Sequence, residues 1–401
     1  MTLAFTGRRL PAAIVGCLTL LAIGWTGLLI PSLIRSIQRT FEVDDAGIGL
    51  VYLAYGLAYA VGSFGGGPST ERLGRPTILG GAALVHAAGI ASLGLAPTFP
   101  WFVAAAVLGG LGAGCLDGGA NGLVLDLYRE GRGRAMNLLH LFFSVGALSA
   151  PLIVGLAVDG GVRWQTVAMA SGLAMAVIAG AYLVVPMPSG RRSPEVTVAA
   201  DKRPAAPGRL LSGPLLLLGV AIATYVASEV GVSNWLVRFL EPAPLTTATL
   251  ALSLYWAGIA VGRLVSSAIA DRFDHRRFTL TCALGMAVTI AAAVLIPSLS
   301  ASIALFALAG VASGPVFPMI VALGGERFPD RSAAVGGSLT GMAIVGSTLY
   351  PPAMGFLSVS IGLGAAMFGN ALLALACAGA LAALGGARAP GPTRGTSSTA
   401  S

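Results

Sequence analysis

Charged residues are scarce in this chain: Asp, Glu, Lys and Arg make up 10% of 401 residues, against about 25% in soluble domains. So few charges cannot cover the surface of a water-soluble globule, which excludes a cytosolic enzyme and a nucleic-acid binder. Histidine and cysteine are scarcer still, at three and four. Cys17, Cys115, Cys282 and Cys377 all fall within apolar runs, so none pairs across an external loop, and no metal-ligand spacing exists. Neither a metal nor a cofactor is expected. An intramembrane serine protease would need a Gly-x-Ser-Gly element facing a histidine. Val311-Ala312-Ser313-Gly314 has valine in the first glycine position and no partner histidine in place.

Apolar residues are what the chain has in abundance, with 56% in the hydrophobic set and 56 glycines besides. At roughly 20 residues per crossing, the apolar runs give twelve transmembrane helices: 10–34, 46–68, 75–97, 100–126, 135–158, 164–186, 211–240, 245–270, 277–297, 300–325, 332–358 and 362–386. Membrane helices tolerate the frequent Gly and Pro, and runs this long exclude an outer-membrane barrel. With both termini inside, nineteen Arg and Lys fall in cytoplasmic segments and four (Arg35, Arg39, Arg163, Arg238) in outer loops. That bias is a positive-inside signal, so the net charge of +8 reports topology. The expected location is the inner (cytoplasmic) membrane, with the lipid bilayer as the surrounding partner.

The longest polar interruption, 187–210, is rich in Pro, Arg and Ser. It reads as a cytoplasmic linker between an N-terminal six-helix bundle (1–186) and a C-terminal one (211–386), followed by a disordered cytoplasmic tail (387–401). Over much of their length the halves align without gaps at an offset of 200. Tyr55 pairs with Tyr255, Gly62 with Gly262, Glu71 with Asp271, Arg72 with Arg272, Gly110 with Gly310, Gly114 with Gly314, Asp126 with Glu326, Gly146 with Gly346 and Pro151 with Pro351. A repeated six-span unit implies two bundles related by pseudo-two-fold symmetry, with a site between them near the midplane and alternating access by rocking.

Gly67-Pro68-Ser69-Thr70-Glu71-Arg72-Leu73-Gly74-Arg75 follows the second span, and a degraded copy, Asp271-Arg272-Phe273-Asp274-His275-Arg276-Arg277, follows the eighth. An acid at a helix end and arginines in a tight turn can clamp neighbouring helix ends by charge-assisted bonds. Glu71, Arg72 and Arg75 with Asp126, and Asp271 and Arg272 with Glu326, are therefore the candidate cytoplasmic latch. The first loop resembles the signature of the major facilitator superfamily, and the resemblance extends over nearly the whole chain. It implies an all-α membrane protein with the major facilitator fold.

Two carboxylates lie well inside spans, Asp117 and Glu229. A charge there costs at least about 2.5–3.5 kcal/mol on insertion scales, so each is paired or carries a proton. Asp117 lies nine residues, about 13 Å of helix, from Asp126, which puts it near the midplane. Asn121 follows one turn on, and Asn137, His140 and Ser144 share a face of the fifth span. Glu229 has Tyr225 and Ser233 one turn to either side. Asp117, Glu229 and His140 are the candidate proton-coupling groups. Asn121, Asn137, Asn234, Trp235, Tyr55, Trp25 and Tyr255 are the candidate solute-binding groups, amides and aromatic faces suited to a neutral hydroxylated molecule. Arg263 is expected to snorkel to the cytoplasm, and His86 to be structural.

Gly114–Asn121, Arg134–Ala147 and Ser228–Leu236 resemble the fucose-permease-like branch of that superfamily. The resemblance implies proton coupling through Asp117, in an L-[DE]-x-x-x-N arrangement that Asn121 completes. His140 and Phe143 stand where that branch's sugar site carries Gln and Asn, so fucose itself is not implied. The expectation is a monomeric secondary transporter of a small, sugar-like solute, coupled to protons. The alternative is a proton-driven exporter of amphipathic compounds or a carrier of cell-wall fragments.

Overall fold

The computed structural model describes residues 10–128, 132–188 and 212–385. The expected linker, from residue 189 onward, and the tail 387–401 lie outside the described residues. Among the described residues the helices are α1 (Leu10–Gly27), α2 (Leu29–Phe41), α3 (Asp45–Leu73), α4 (Arg75–Leu95), α5 (Phe99–Leu127), α6 (Arg132–Asp159), α7 (Trp164–Val184), α8 (Gly213–Phe239), α9 (Leu245–Ile269), α10 (His275–Leu295), α11 (Leu299–Ser313), α12 (Val316–Arg327), α13 (Ser332–Ile361) and α14 (Leu363–Leu384). They make twelve spans long and apolar enough to cross a membrane, because α1 continues into α2 and α11 into α12.

Both interruptions have a proline just beyond them. Pro31 has no N–H to give the carbonyl of Gly27, so the helix breaks at Leu28, whose N–H turns back to Trp25 at 3.2 Å. In the tenth span the break falls at Gly314 and Pro315, and Pro318 beyond it has no N–H to give the Gly314 carbonyl. The first span runs to Phe41, seven residues past the expected end at 34. Arg35, expected in an outer loop, is instead a buried helical residue. It lies on the packed side of α2, where its guanidinium reaches main-chain acceptors in the second half.

The outer surface is apolar. Leu173, Val177 and Val184 on α7 are exposed by 69–78%, as a lipid-facing stripe would be and a water-facing one would not. Inside, the helices meet at glycines. A Cβ on Gly110 would overlap the carbonyl oxygen of Tyr55, and one on Gly310 that of Tyr255. The offset of 200 read from the sequence is thus repeated as one helix crossing, between α3 and α5 and again between α9 and α11. Between the halves, α3 packs on α13, α6 on α9 and α2 on α8.

Candidate functional site

Asp117 lies on α5, ten residues from its end, and is half-exposed. The Tyr59 hydroxyl on α3 donates to its Oδ2 at 2.6 Å, and Asn121 Nδ2 donates to its Oδ1 at 3.2 Å. Both carboxylate oxygens therefore accept a hydrogen bond. Asn121 Oδ1 is buried without a partner among the described residues. Tyr55 stacks on Tyr59, ring centroids 6.4 Å apart at 23°. His140 on α6 is exposed and within electrostatic reach of both Asp117 and Arg263. The side chain of Asn137, one turn before His140, is outside the described ones.

In the second half, Glu229 is buried on α8 with the Tyr225 hydroxyl against its carboxylate. Tyr225 also reaches the carbonyl of Ser313 at 2.9 Å, at the break in the tenth span. Tyr255 packs beside them, fully buried, its hydroxyl 3.4 Å from the Glu229 carbonyl. Arg263, expected to snorkel away, acts electrostatically on Glu229 and on His140. It makes no hydrogen bond or ion pair through its side chain among the described residues. The charges of Asp117 and Arg263 thus both act on His140, and that of Arg263 also on Glu229 across the two halves. Tyr59, which bonds Asp117, was not among the candidate residues. What could have revealed it is that it is one turn beyond Tyr55 on the helix that packs against Asp117.

The aromatic candidates divide by burial. Trp25 is half-buried with its indole N–H on Ser171 Oγ at 2.9 Å. Trp235 is fully buried, donates to the Pro351 carbonyl at 2.8 Å and meets Tyr52 edge-on at 5.7 Å. Trp235 and Tyr255, expected to line the cavity, are packed in this conformation, because each sits on the face of its helix turned to neighbouring backbone. Asn234 is half-exposed and accepts the Tyr52 hydroxyl at its main-chain carbonyl, 3.0 Å away. His86 is buried between Thr26 Oγ1 (2.9 Å) and the Gly109 carbonyl (2.7 Å), a structural setting.

At the expected cytoplasmic ends, Arg75 is buried and pairs with Asp126 at 2.7 Å. Glu71 and Arg72 stand exposed on the last turn of α3. In the second copy His275 takes the corresponding place, with Nδ1 2.5 Å from Glu326 and Nε2 3.6 Å from Asp271. Arg272 is exposed. Arg75 and His275 are 200 residues apart, as are Asp126 and Glu326, so the two clamps are one contact repeated with a different base. The arginines around His275 drew the sequence reading away from it.

The model for the Major Facilitator Superfamily matches residues 13–242 and again 217–400. The chain belongs to that superfamily. A gentisate transporter of Corynebacterium glutamicum is 24% identical over 400 residues, covering 94% of this chain and 88% of that one. A glucose/galactose transporter of Brucella abortus is 25% identical, covering 82% of this chain and 84% of that one. Among solved structures, a bacterial homologue of the lysosomal transporter Spinster, inward-facing and occupied, superposes with a TM-score of 0.80 at 16% identity, covering 95% and 98% of the two chains. A D-xylose–proton symporter gives 0.76 at 17%, covering 94% and 97%. This member of the major facilitator superfamily is a multi-pass membrane transporter of a small molecule, and not an enzyme.

Proposed function

We propose that the protein is a proton-coupled secondary transporter of a small, neutral, sugar-like solute, working by alternating access as a monomer in the inner membrane with both termini in the cytoplasm. The observation that carries this is Asp117, a half-exposed carboxylate inside a span, with donors on both oxygens and an unpartnered amide oxygen one turn away. A solute hydroxyl donating to Asn121 Oδ1 would satisfy that atom, and Tyr55 offers it an aromatic face. Proton uptake by Asp117 would turn one of its oxygens into a donor and release the Tyr59 or the Asn121 bond made there, so proton and solute binding would be linked through a shared bond. Glu229 would be a second proton site. A phenol has one hydrogen, and if Tyr225 gives it to the Ser313 carbonyl, the Glu229 contact needs a hydrogen from Glu229. Sugars are named among the relatives, as in the glucose/galactose transporter of Brucella abortus. Glu71, Arg72, Arg75, Asp126, Asp271, Arg272 and Glu326, with His275 added, would latch the cytoplasmic ends.

A second reading has its own observation. Arg263 brings a guanidinium that forms no side-chain ion pair among the described residues to the neighbourhood of His140 and Glu229, and one relative is named for gentisate, a hydroxylated aromatic acid. A hydroxylated monocarboxylate would supply its counter-charge. Purified protein in liposomes with an imposed pH gradient tests the main reading. Wild type should concentrate its solute, while Asp117→Asn should exchange it without accumulation; if Asp117→Asn accumulates solute as wild type does, Asp117 is not the coupling group. Export instead of uptake would appear as transport in inverted vesicles only.

A further inference from the structure

At the end opposite the latch, Asp45 is a buried carboxylate at the start of α3. Three donors converge on it. Arg238 Nε on α8 reaches Oδ1 at 2.8 Å and Ser358 Oγ on α13 reaches Oδ2 at 3.0 Å, both from the second half. Gln38 Nε2 on α2, from its own half, reaches Oδ1 at 2.8 Å. Arg238 is held in turn by Glu241. Beside them Arg35 sends Nε to the Val237 carbonyl at 2.9 Å and Nη1 to the Ala243 carbonyl at 2.8 Å, while its Nη2 is buried without a partner among the described residues. Arg35, Arg39, Glu42, Asp44, Asp45, Arg238 and Glu241 surround one cavity of about 310 Å³ on this seam.

We infer that Asp45 is a positioning residue for transport, the keystone of a gate that holds the two halves together at this end. Charge-assisted bonds to a buried acceptor are strong in this setting and are lost together when the halves part. Nothing in the sequence pattern marks this gate, since every bond across it joins residues about 200 or more apart. The inference goes beyond the Asp117 reading and does not depend on it, because the gate would act on any solute and with or without proton coupling.

Distance measurement between spin labels at Glu42→Cys and Ser360→Cys tests it, on the full chain with the four native cysteines replaced by alanine. Glu42 and Ser360 are exposed residues on opposite sides of the seam. The parent should give one short distance. Asp45→Asn, Arg238→Ala and the milder Ser358→Ala should each shift population toward a longer one, by about tenfold in the ratio for the charged pair. Gln38→Ala, which removes a bond within one half, should leave the distribution as in the parent. The exchanged pair Asp45→Arg with Arg238→Asp should restore part of the short population. An unchanged distribution in Asp45→Asn and Arg238→Ala overturns the inference, as does a Gln38→Ala variant that opens equally. The readout needs neither solute nor a pH gradient, so failure of the Asp117 reading would leave it standing.

Discussion

Gly114 and Gly314 allow packing and coupling to be separated in one experiment. A Cβ on Gly114 would overlap the Tyr59 carbonyl oxygen and come within 2.9 Å of the Ser63 nitrogen; one on Gly314 would overlap the Ile259 carbonyl oxygen and come within 2.8 Å of the Arg263 nitrogen. All four neighbours are backbone, so no side chain can swing aside, and each Gly→Ala forces its helix pair apart at a cost of about 1–3 kcal/mol. The consequence differs between the halves. In the first half the displaced residue is Tyr59, whose hydroxyl lies 2.6 Å from Asp117. A retreat of roughly 0.5–1 Å takes that contact to the limit of O–H···O bonding or past it. A bond to a charged group contributes about 1.5–3 kcal/mol, so Gly114→Ala should weaken proton-driven accumulation by at least about tenfold. In the second half the displaced residues are Ile259 and Arg263 and the Tyr59–Asp117 bond is not touched, so Gly314→Ala should lose less accumulation than Gly114→Ala. Melting of the two purified variants in detergent should fall by similar amounts, and accumulation against counterflow exchange in liposomes then reads the coupling. Equal loss of coupling in both variants, or full coupling in Gly114→Ala, would refute the reasoning.

Two further outcomes are expected. His275 bonds Glu326 as an ion pair only when protonated, so the second clamp weakens as pH rises through its titration while the Arg75–Asp126 clamp does not. His275→Arg should remove that pH dependence, read as the labelling rate of a cysteine placed at the Glu326 end at pH 5.5 and 8. Arg263→Gln should leave binding of a neutral hexose within about twofold but lower that of a hydroxylated monocarboxylate by about tenfold or more, measured by thermal shift. Equal retention of both ligands would remove the second substrate reading.

The legible and the hidden parts of this molecule differ in the range of the interactions involved. The twelve spans were legible because crossing a bilayer demands a run of about 20 apolar residues, a local property. The repeat was legible because glycines at helix crossings, such as Gly110 and Gly310, admit no side chain. Asp117 and Glu229 stood out because a carboxylate in a span is costly wherever its partners are. The partners themselves were not legible. Tyr59 to Asp117 spans 58 residues and Arg238 to Asp45 spans 193, and no periodicity encodes such pairs. Arg35 and Arg238 were counted as loop charges, since a topology rule registers an arginine's side of the membrane and not what it bonds. Trp235 and Tyr255 were chosen by residue type, which does not reveal that each turns to a backbone neighbour instead of open space.

Among the described residues, Arg35 bonds the second half only through main-chain carbonyls, those of Val237 and Ala243. Any sequence that ends α8 in the same turn presents the same oxygens, whatever its side chains. The second half can therefore drift at positions 237 and 243 without losing this arginine, whereas the first half cannot change residue 35. Selection on this joint is one-sided, and compensating changes should be sought around the turn after Phe239, not opposite Arg35.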